Sequence, residues 1–288
     1  MRKNLFLLLA SLALFCNSCS EDLGKSDIVI PEWDITKLSK TDRYIYDNFT
    51  QPFNIQVNYK WDASETDMDK TLVPPQEEMV IPFLEVVKKI WMDPYIGETD
   101  SVFVKQYFPK QLLLIGSPSY NTDGSITQGT AEGGKKIVLF EINDFNPTYK
   151  TLIRRYSRTL FHEFAHILHQ SVEYATDYQN ITPAYTSGWY LVASDTKARQ
   201  DGFITRYAMS APSEDFAEMV AQMLIYTEDE WNELLAEAGD NEALLRKKEK
   251  MVISYMKNNW NIEMEHFRKV TTNAMKEVIE DEDNPVIN

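Results

Sequence analysis

The sequence predicts an α+β protein, with strands gathered in a small N-terminal part and helices filling the C-terminal part. Three observations lead there. The runs of strand character, 54–61 (NIQVNYKW), 111–115 (QLLLI) and 135–143 (KKIVLFEIN), all lie in the first half. Beyond residue 148, apart from an irregular stretch at 173–202, the apolar residues recur at helical spacing. The 288 residues, 43% hydrophobic and 25% charged, have the balance of a globular protein able to bury a core. Twenty-nine basic against 44 acidic residues give a net charge of −15, which repels phosphate backbones and argues against nucleic-acid binding.

The first residues read as an address. Arg2 and Lys3 precede an apolar run over 5–16, too short for the roughly 20 residues a bilayer span needs but fitting a signal peptide. The following Cys16-Asn17-Ser18-Cys19 resembles a bacterial lipobox with Cys19 as the lipidated residue, although Cys16 stands where leucine is usual. Glu21 and Asp22 resemble the surface-export signal of Bacteroidetes lipoproteins. The expected organisation is a signal peptide at 1–18, a lipidated tether at 19–40 with an extended piece at 27–31, and one folded domain at 41–288. That domain is expected to contain strands over 41–145 and to be helical over 146–288. Both cysteines fall in or at the leader, so a disulfide framework, a cysteine zinc site and a cysteine nucleophile are excluded.

The elements follow in order. Residues 54–61 alternate apolar and polar, as a half-buried strand does. After Pro74-Pro75, residues 77–91 place Met79, Val80, Phe83, Val86, Val87 and Ile90 on one helical face despite Pro82. A buried strand at 111–115 is followed by a Gly-, Ser- and Thr-rich stretch over 116–134 that reads as loop, then a strand at 135–143. Asn146-Pro147 opens a helix over 148–170. Residues 173–202 read as irregular. A helix over 213–226 has Ser213 as its expected N-cap, and Thr227-Glu228-Asp229-Glu230 is a capping-box pattern opening another, ended at Gly239. Helices at 241–258 and 264–280 complete the chain.

Three of the four histidines lie in His162-Glu163-Phe164-Ala165-His166-Ile167-Leu168-His169, an H-E-x-x-H motif on the 148–170 helix. Residues four apart on a helix are offset by about 40° and about 6 Å, so both imidazoles face one way and can share a Zn²⁺. Glu163 is then placed to take a proton from metal-bound water and pass it to a leaving amine. His169 lies about 10.5 Å along the axis from His162 and cannot join it on one ion without a helix break; it reads as structural or as lining the cleft. His266 reads as an exposed helix residue.

A catalytic zinc needs a third ligand. Ser213-Glu214-Asp215-Phe216-Ala217-Glu218 supplies Glu214 and Glu218 on one helical face. One can bind the metal and the other can hydrogen-bond the outer nitrogen of a ligand histidine. Asp215 is turned about 100° away, toward solvent or an N-terminal-turn role.

H-E-F-A-H with a downstream E-D-F-A-E resembles the gluzincin metallopeptidases, above all the lethal-factor-like subgroup with E-x-F-A-E on its second helix. The resemblance implies a zincin-like fold, Glu214 as the third zinc ligand, and Glu218 as the support of a ligand histidine. It also implies that Tyr207, seven residues before Glu214, stabilises the oxyanion. The whole chain further resembles the zinc metallohydrolase lipoproteins of the Bacteroidetes that accompany SusC/SusD-type import systems. That implies an outer-membrane lipoprotein exposed at the cell surface, anchored through Cys19, with a SusC/SusD-type import complex as partner.

The strand at 135–143 is expected to be the edge strand of the cleft, open to an extended peptide. Arg154, Arg155 and Arg158 are expected to be solvated or to pair with acids, substrate-carboxylate binding being the alternative. The aromatics of 185–190 (YTSGWY) read as core by default, with a cleft wall or a glycan platform as the alternatives. The leading function is a surface-anchored zinc metallopeptidase acting on a peptide or protein substrate. The alternatives are a non-catalytic accessory lipoprotein of an importer and a zinc amidase with a non-peptide substrate.

Overall fold

The computed structural model describes residues 35–66, 69–121, 126–127, 129–132 and 135–281. The leader, Cys19 and the extended piece expected at 27–31 lie outside the described residues. Two compact units divide at residue 38. The first is described only over 35–38, where Ile35–Lys37 makes one exposed 3₁₀ turn. The second, Ser39–Asn288, is the folded body.

The body opens with helix α1 (Lys40–Ile45), whose N-cap Ser39 accepts from the Asp42 N–H. It runs on through a π-helical turn (Tyr46–Thr50) and a last turn (Gln51–Phe53), and Asn54 ends it in the left-handed region. Strand β1 (Gln56–Asn58) is shorter than the alternating run at 54–61. Helix α2 (Glu77–Val87) persists through Pro82, because six apolar side chains from Met79 to Val87 are buried and packing outweighs one lost backbone hydrogen bond. A π-helical turn (Lys88–Met92), α3 (Asp93–Glu98) and α4 (Ser101–Tyr107) follow.

The strands β2 (Gln111–Leu114), β3 (Ser119–Tyr120), β4 (Ile126–Thr127), β5 (Gly129–Glu132) and β6 (Lys136–Leu139) come next. The main sheet has the order β1-β2-β6-β5, and β3 and β4 form a small antiparallel pair. β1, β2 and β6 are parallel; β5 runs antiparallel to β6, with Gly129 opposite Leu139 and Glu132 opposite Lys136. Two expectations are corrected here. The stretch 116–134 is not all loop, and the edge strand is β5, with β6 inside the sheet. β2 and β6 read as unbroken apolar runs because both faces are covered. Leu112, Leu114, Ile137 and Leu139 join the main core, while Leu113, Ile115, Val138 and Phe140 form a second cluster.

The helical part comprises α5 (Lys150–Ser171), α6 (Asp195–Gln200), α7 (Pro212–Ile225), α8 (Glu228–Ala236), α9 (Glu242–Trp260) and α10 (Met264–Glu280). The capping box at Thr227 and Glu230 is formed, and Gly239 takes a positive φ just beyond α8. α7 starts at Pro212 with Ala211 as its cap residue, not at Ser213, because proline's fixed φ suits the first helical position. Every residue of α7 from Asp215 to Ile225 is buried. It is the central helix, packed against α5, α9 and α10. Edge strand β5 lies on α5: a Cβ on Gly129 would stand 2.4 Å from Thr159 Cγ2, so only glycine permits this approach. Among the described residues, no helix is long and apolar enough to cross a membrane.

Candidate metal centre

α5 buries twelve of its 22 side chains, including Phe161, His162, Glu163, Phe164 and Ala165, so the motif sits inside the protein and not on a solvated face. Phe164 packs among Trp91, Tyr95 and Phe108, which fixes the rotation of α5 about its axis. With that rotation fixed, His162 and His166 point together toward the first turn of α7.

Three donor atoms converge there. His162 Nε2 lies 3.0 Å from Glu214 Oε2, His166 Nε2 lies 3.2 Å from the same oxygen, and the two Nε2 atoms are 3.1 Å apart. Tetrahedral coordination at about 2.0–2.1 Å puts neighbouring donors about 3.3–3.4 Å apart, so this triangle has the size zinc requires. The electrostatics agree. Burial alone would lower the His162 pKa, but the Glu214 and Glu218 carboxylates reverse this and lift it to about 9. The pocket therefore calls for positive charge at its centre. Burial likewise opposes the charge on Glu214, yet His162 and His166 hold its carboxyl well below the usual range. The residues present fit a zinc ion held by His162, His166 and Glu214.

Around this triangle stand further groups. Glu218 is fully buried one turn beyond Glu214, with Oε1 2.8 Å from His162 Nδ1, though off the axis of that N–H. Burial raises the Glu218 pKa, but Arg158 and His162 outweigh it and keep the group charged. Arg158 clasps Glu218 with Nη2 at 2.7 Å and Nε at 3.2 Å, and the Thr205 hydroxyl donates to it at 2.8 Å. Glu163 is buried beside His162, and its charge is felt by both His162 and Tyr207. Tyr207 opens the 3₁₀ turn Tyr207–Met209 with its ring 5.7 Å from that of His162. Burial, then the Glu214 and Glu163 carboxylates, raise its pKa, so the phenol keeps its proton.

The other sequence candidates fall elsewhere. His169 is half-buried and outside the three converging donors, its Nε2 2.9 Å from His166 Nδ1. Burial and the neighbouring His166 push its pKa down to about 4. His266 is exposed and pairs with Glu98 at 2.6 Å. Arg154, Arg155 and Arg158 pair with Glu230, Glu141 and Glu218. Of the 185–190 aromatics, Trp189 packs edge-on against Tyr207 at 5.1 Å, and Tyr190 is exposed rather than core.

Asp215 corrects the expectation of a solvent or helix-start role. It is fully buried, its carboxylate 2.6 Å from the equally buried Lys248 Nζ, and the Tyr185 hydroxyl donates to it at 3.0 Å. No local pattern announces that pair, whose members are 33 residues apart. Arg158 had a readable signal, since it stands four before His162 on the same helical face. A cavity of about 270 Å³ lies beside the C-terminal end of α5, lined by Tyr174, Tyr178, Phe216 and Tyr255 but by none of the three donors.

The family model described as "Putative zinc-binding metallo-peptidase" matches residues 34–265. A crystal structure of a putative zinc-binding metallo-peptidase from Bacteroides caccae superposes with a TM-score of 0.72 at 34% identity, covering 85% of this chain and 95% of that one. No curated protein matches the sequence. A family model that spans most of the chain, and a relative matched over nearly its whole length, show that the protein belongs to this zinc-metallopeptidase-like family.

Proposed function

We propose that the protein is a zinc-dependent metallopeptidase of zincin-like, gluzincin type, with His162, His166 and Glu214 as the metal ligands. The observation that carries this reading is the triangle of donor atoms with 3.0, 3.1 and 3.2 Å sides between α5 and α7. Zinc bound there supplies Lewis-acid activation of water and of a scissile carbonyl. The chain's own residues do the rest. Glu163 accepts the proton of the attacking water and returns it to the leaving amine. Tyr207, kept protonated by its surroundings, donates to the oxygen that gains charge in the transition state. Glu218, itself held by Arg158 and Thr205, favours the proton on His162 Nδ1 and so keeps His162 Nε2 turned to the metal. β5 lies on the motif helix and, among the described residues, pairs with β6 along one edge; its other edge suits an extended substrate paired through its backbone.

The proposed setting is the cell surface, with Cys19 as lipid anchor and an import complex of SusC/SusD type as partner, on the leader sequence and the family resemblance. The test is a diverse peptide library digested by the soluble chain beginning after Cys19 and read by mass spectrometry, beside a Glu163→Gln variant. Cuts made by the wild type alone are expected, with zinc content equal in both proteins. No cuts from a zinc-loaded wild type would overturn the peptidase reading in favour of another amide substrate or an accessory role.

A further inference from the structure

The two ligand histidines need their rings oriented and their protons placed. Each imidazole has two nitrogens, and only the one without a proton can bind a metal. His162 has Glu218 facing its outer nitrogen. Among the described residues, no carboxylate pairs with the outer nitrogen of His166. Its Nδ1 instead lies 2.9 Å from Nε2 of His169, one turn further along α5. An imidazole nitrogen can accept a hydrogen bond only when it is unprotonated, so one ring donates and the other accepts.

The surroundings of His169 settle its position. Its ring meets Tyr174 at 5.5 Å and 79° and Phe216 at 6.1 Å and 86°, edge contacts to two rings that stack on each other at 4.3 Å and 8°. Phe216 belongs to α7, two residues beyond Glu214. His169 is thus wedged between the helix of the two histidine ligands and the helix of the carboxylate ligand. These contacts hold the His169 ring where His166 Nδ1 meets it.

We propose that His169 is a positioning residue for His166, its Nε2 accepting the hydrogen bond from His166 Nδ1–H so that His166 Nε2 stays open to a metal. Without His169 the Nδ1–H would be left among aromatic rings, and both the tautomer and the ring angle of His166 would be free to change. The inference rests on the metal reading above. It adds a residue that the H-E-x-x-H pattern does not include, and it gives the two histidines different outer partners: a charged carboxylate clasped by Arg158, and a neutral ring held by packing.

The test compares wild type, His169→Phe and His169→Gln. Phenylalanine keeps the ring between Tyr174 and Phe216 but removes the acceptor; the glutamine amide oxygen reaches about as far as Nε2 and restores one. Zinc affinity is measured by chelator competition. The Co²⁺-substituted proteins are compared by visible absorption, and the metal-free proteins by ¹⁵N imidazole NMR at pH 8. Outer partners of metal-bound histidines are worth about 10–100-fold in affinity. His169→Phe is expected to lose zinc affinity by that factor, with an altered cobalt spectrum and an unchanged melting temperature of the metal-free protein, and His169→Gln to recover most of the affinity. Wild type is expected to carry the His166 proton on Nδ1, and the Phe variant to lose that preference. Wild-type affinity and an unaltered cobalt spectrum in His169→Phe would overturn the proposal, as would a wild-type His166 protonated on Nε2. A wild type that binds no zinc would sink the metal reading, while the NMR comparison would still decide whether His169 sets the tautomer.

Discussion

Lys248→Met is the substitution whose cost the structure specifies most closely. Lys248 and Asp215 are both fully buried and meet at 2.6 Å, with Lys248 Nζ also donating to the Gly202 carbonyl at 2.9 Å and lying 4.3 Å above the Phe203 ring. Methionine fills nearly the same volume and removes the ammonium. Deleting one partner of a buried ion pair costs about 3–5 kcal/mol, because the other is left unpaired. Asp215 has one route of escape. Burial pushes its carboxyl up to about 6 even beside Lys248, so without the ammonium it takes up a proton at neutral pH. The Tyr185 hydroxyl remains as a partner. The loss at pH 7 is therefore expected near the lower end, about 3 kcal/mol. Urea unfolding in the presence of a chelator, followed by circular dichroism, measures it free of metal binding. Adding Asp215→Asn removes the orphaned acid and is expected to recover at least about 1 kcal/mol. A loss below about 1 kcal/mol in the single variant, or a double variant as unstable as the sum of the two singles, would refute the reasoning.

Two further outcomes are expected. Glu230 on α8 pairs with Arg154 and Lys150 of α5; burial raises its pKa, but Arg154, the Thr227 N–H and Lys150 bring it down to about 2. A carboxyl depressed by folding stabilises the protein above its ordinary pKa, and this contribution is lost as pH falls from about 4.5 to about 2, so Glu230→Gln should flatten the melting-temperature profile in that window and leave the rest of its shape unchanged. Gly129→Ala places a Cβ 2.4 Å from Thr159 Cγ2 and should cost about 1–3 kcal/mol by overpacking β5 against α5, with Thr159→Ser restoring part of it; thermal melts showing no recovery in the double variant would mean that the strand does not sit where the structure places it.

What could be read from the sequence divides along the range of the interactions. Helical periodicity is local, and the helix expected at 264–280 coincides with α10. The H-E-x-x-H and E-D-F-A-E segments were equally legible, because a helix turns a four-residue spacing into a shared face. The edge strand was not legible. Gly129 and Thr130 look like loop, and only the presence of β6 on one side and α5 beneath makes 129–132 a strand. The short helix α3 is not legible because Pro94 and Gly97 break its pattern, and α4, at seven residues, is too short to show a period; packing supplies what propensity does not. Asp215 was misread for the same reason: the residue that neutralises it lies on α9.

The first turn of α7 shows how these scales meet. Glu214, Asp215 and Glu218 place three carboxylates within five residues, a run that on a solvated helix would only decorate its N-terminus. Here each has its own partner. Glu214 faces His162 and His166, Asp215 faces Lys248, and Glu218 faces Arg158 and the back of His162. Three negative charges so close would repel strongly in a buried site unless each were compensated from its own direction. Lys248 compensates Asp215 and Arg158 compensates Glu218, and both cations are held by the fold. Among the described residues, Glu214 is the one of the three with no lysine or arginine partner, only two imidazoles whose charge depends on protonation. The compensation pattern therefore singles out Glu214 as the carboxylate for which a metal ion is the natural counter-charge. The Arg158 pair keeps it so: removing Arg158 would leave Glu218, which faces the outer nitrogen of His162, as a second carboxylate without a fixed cation beside the donor triangle.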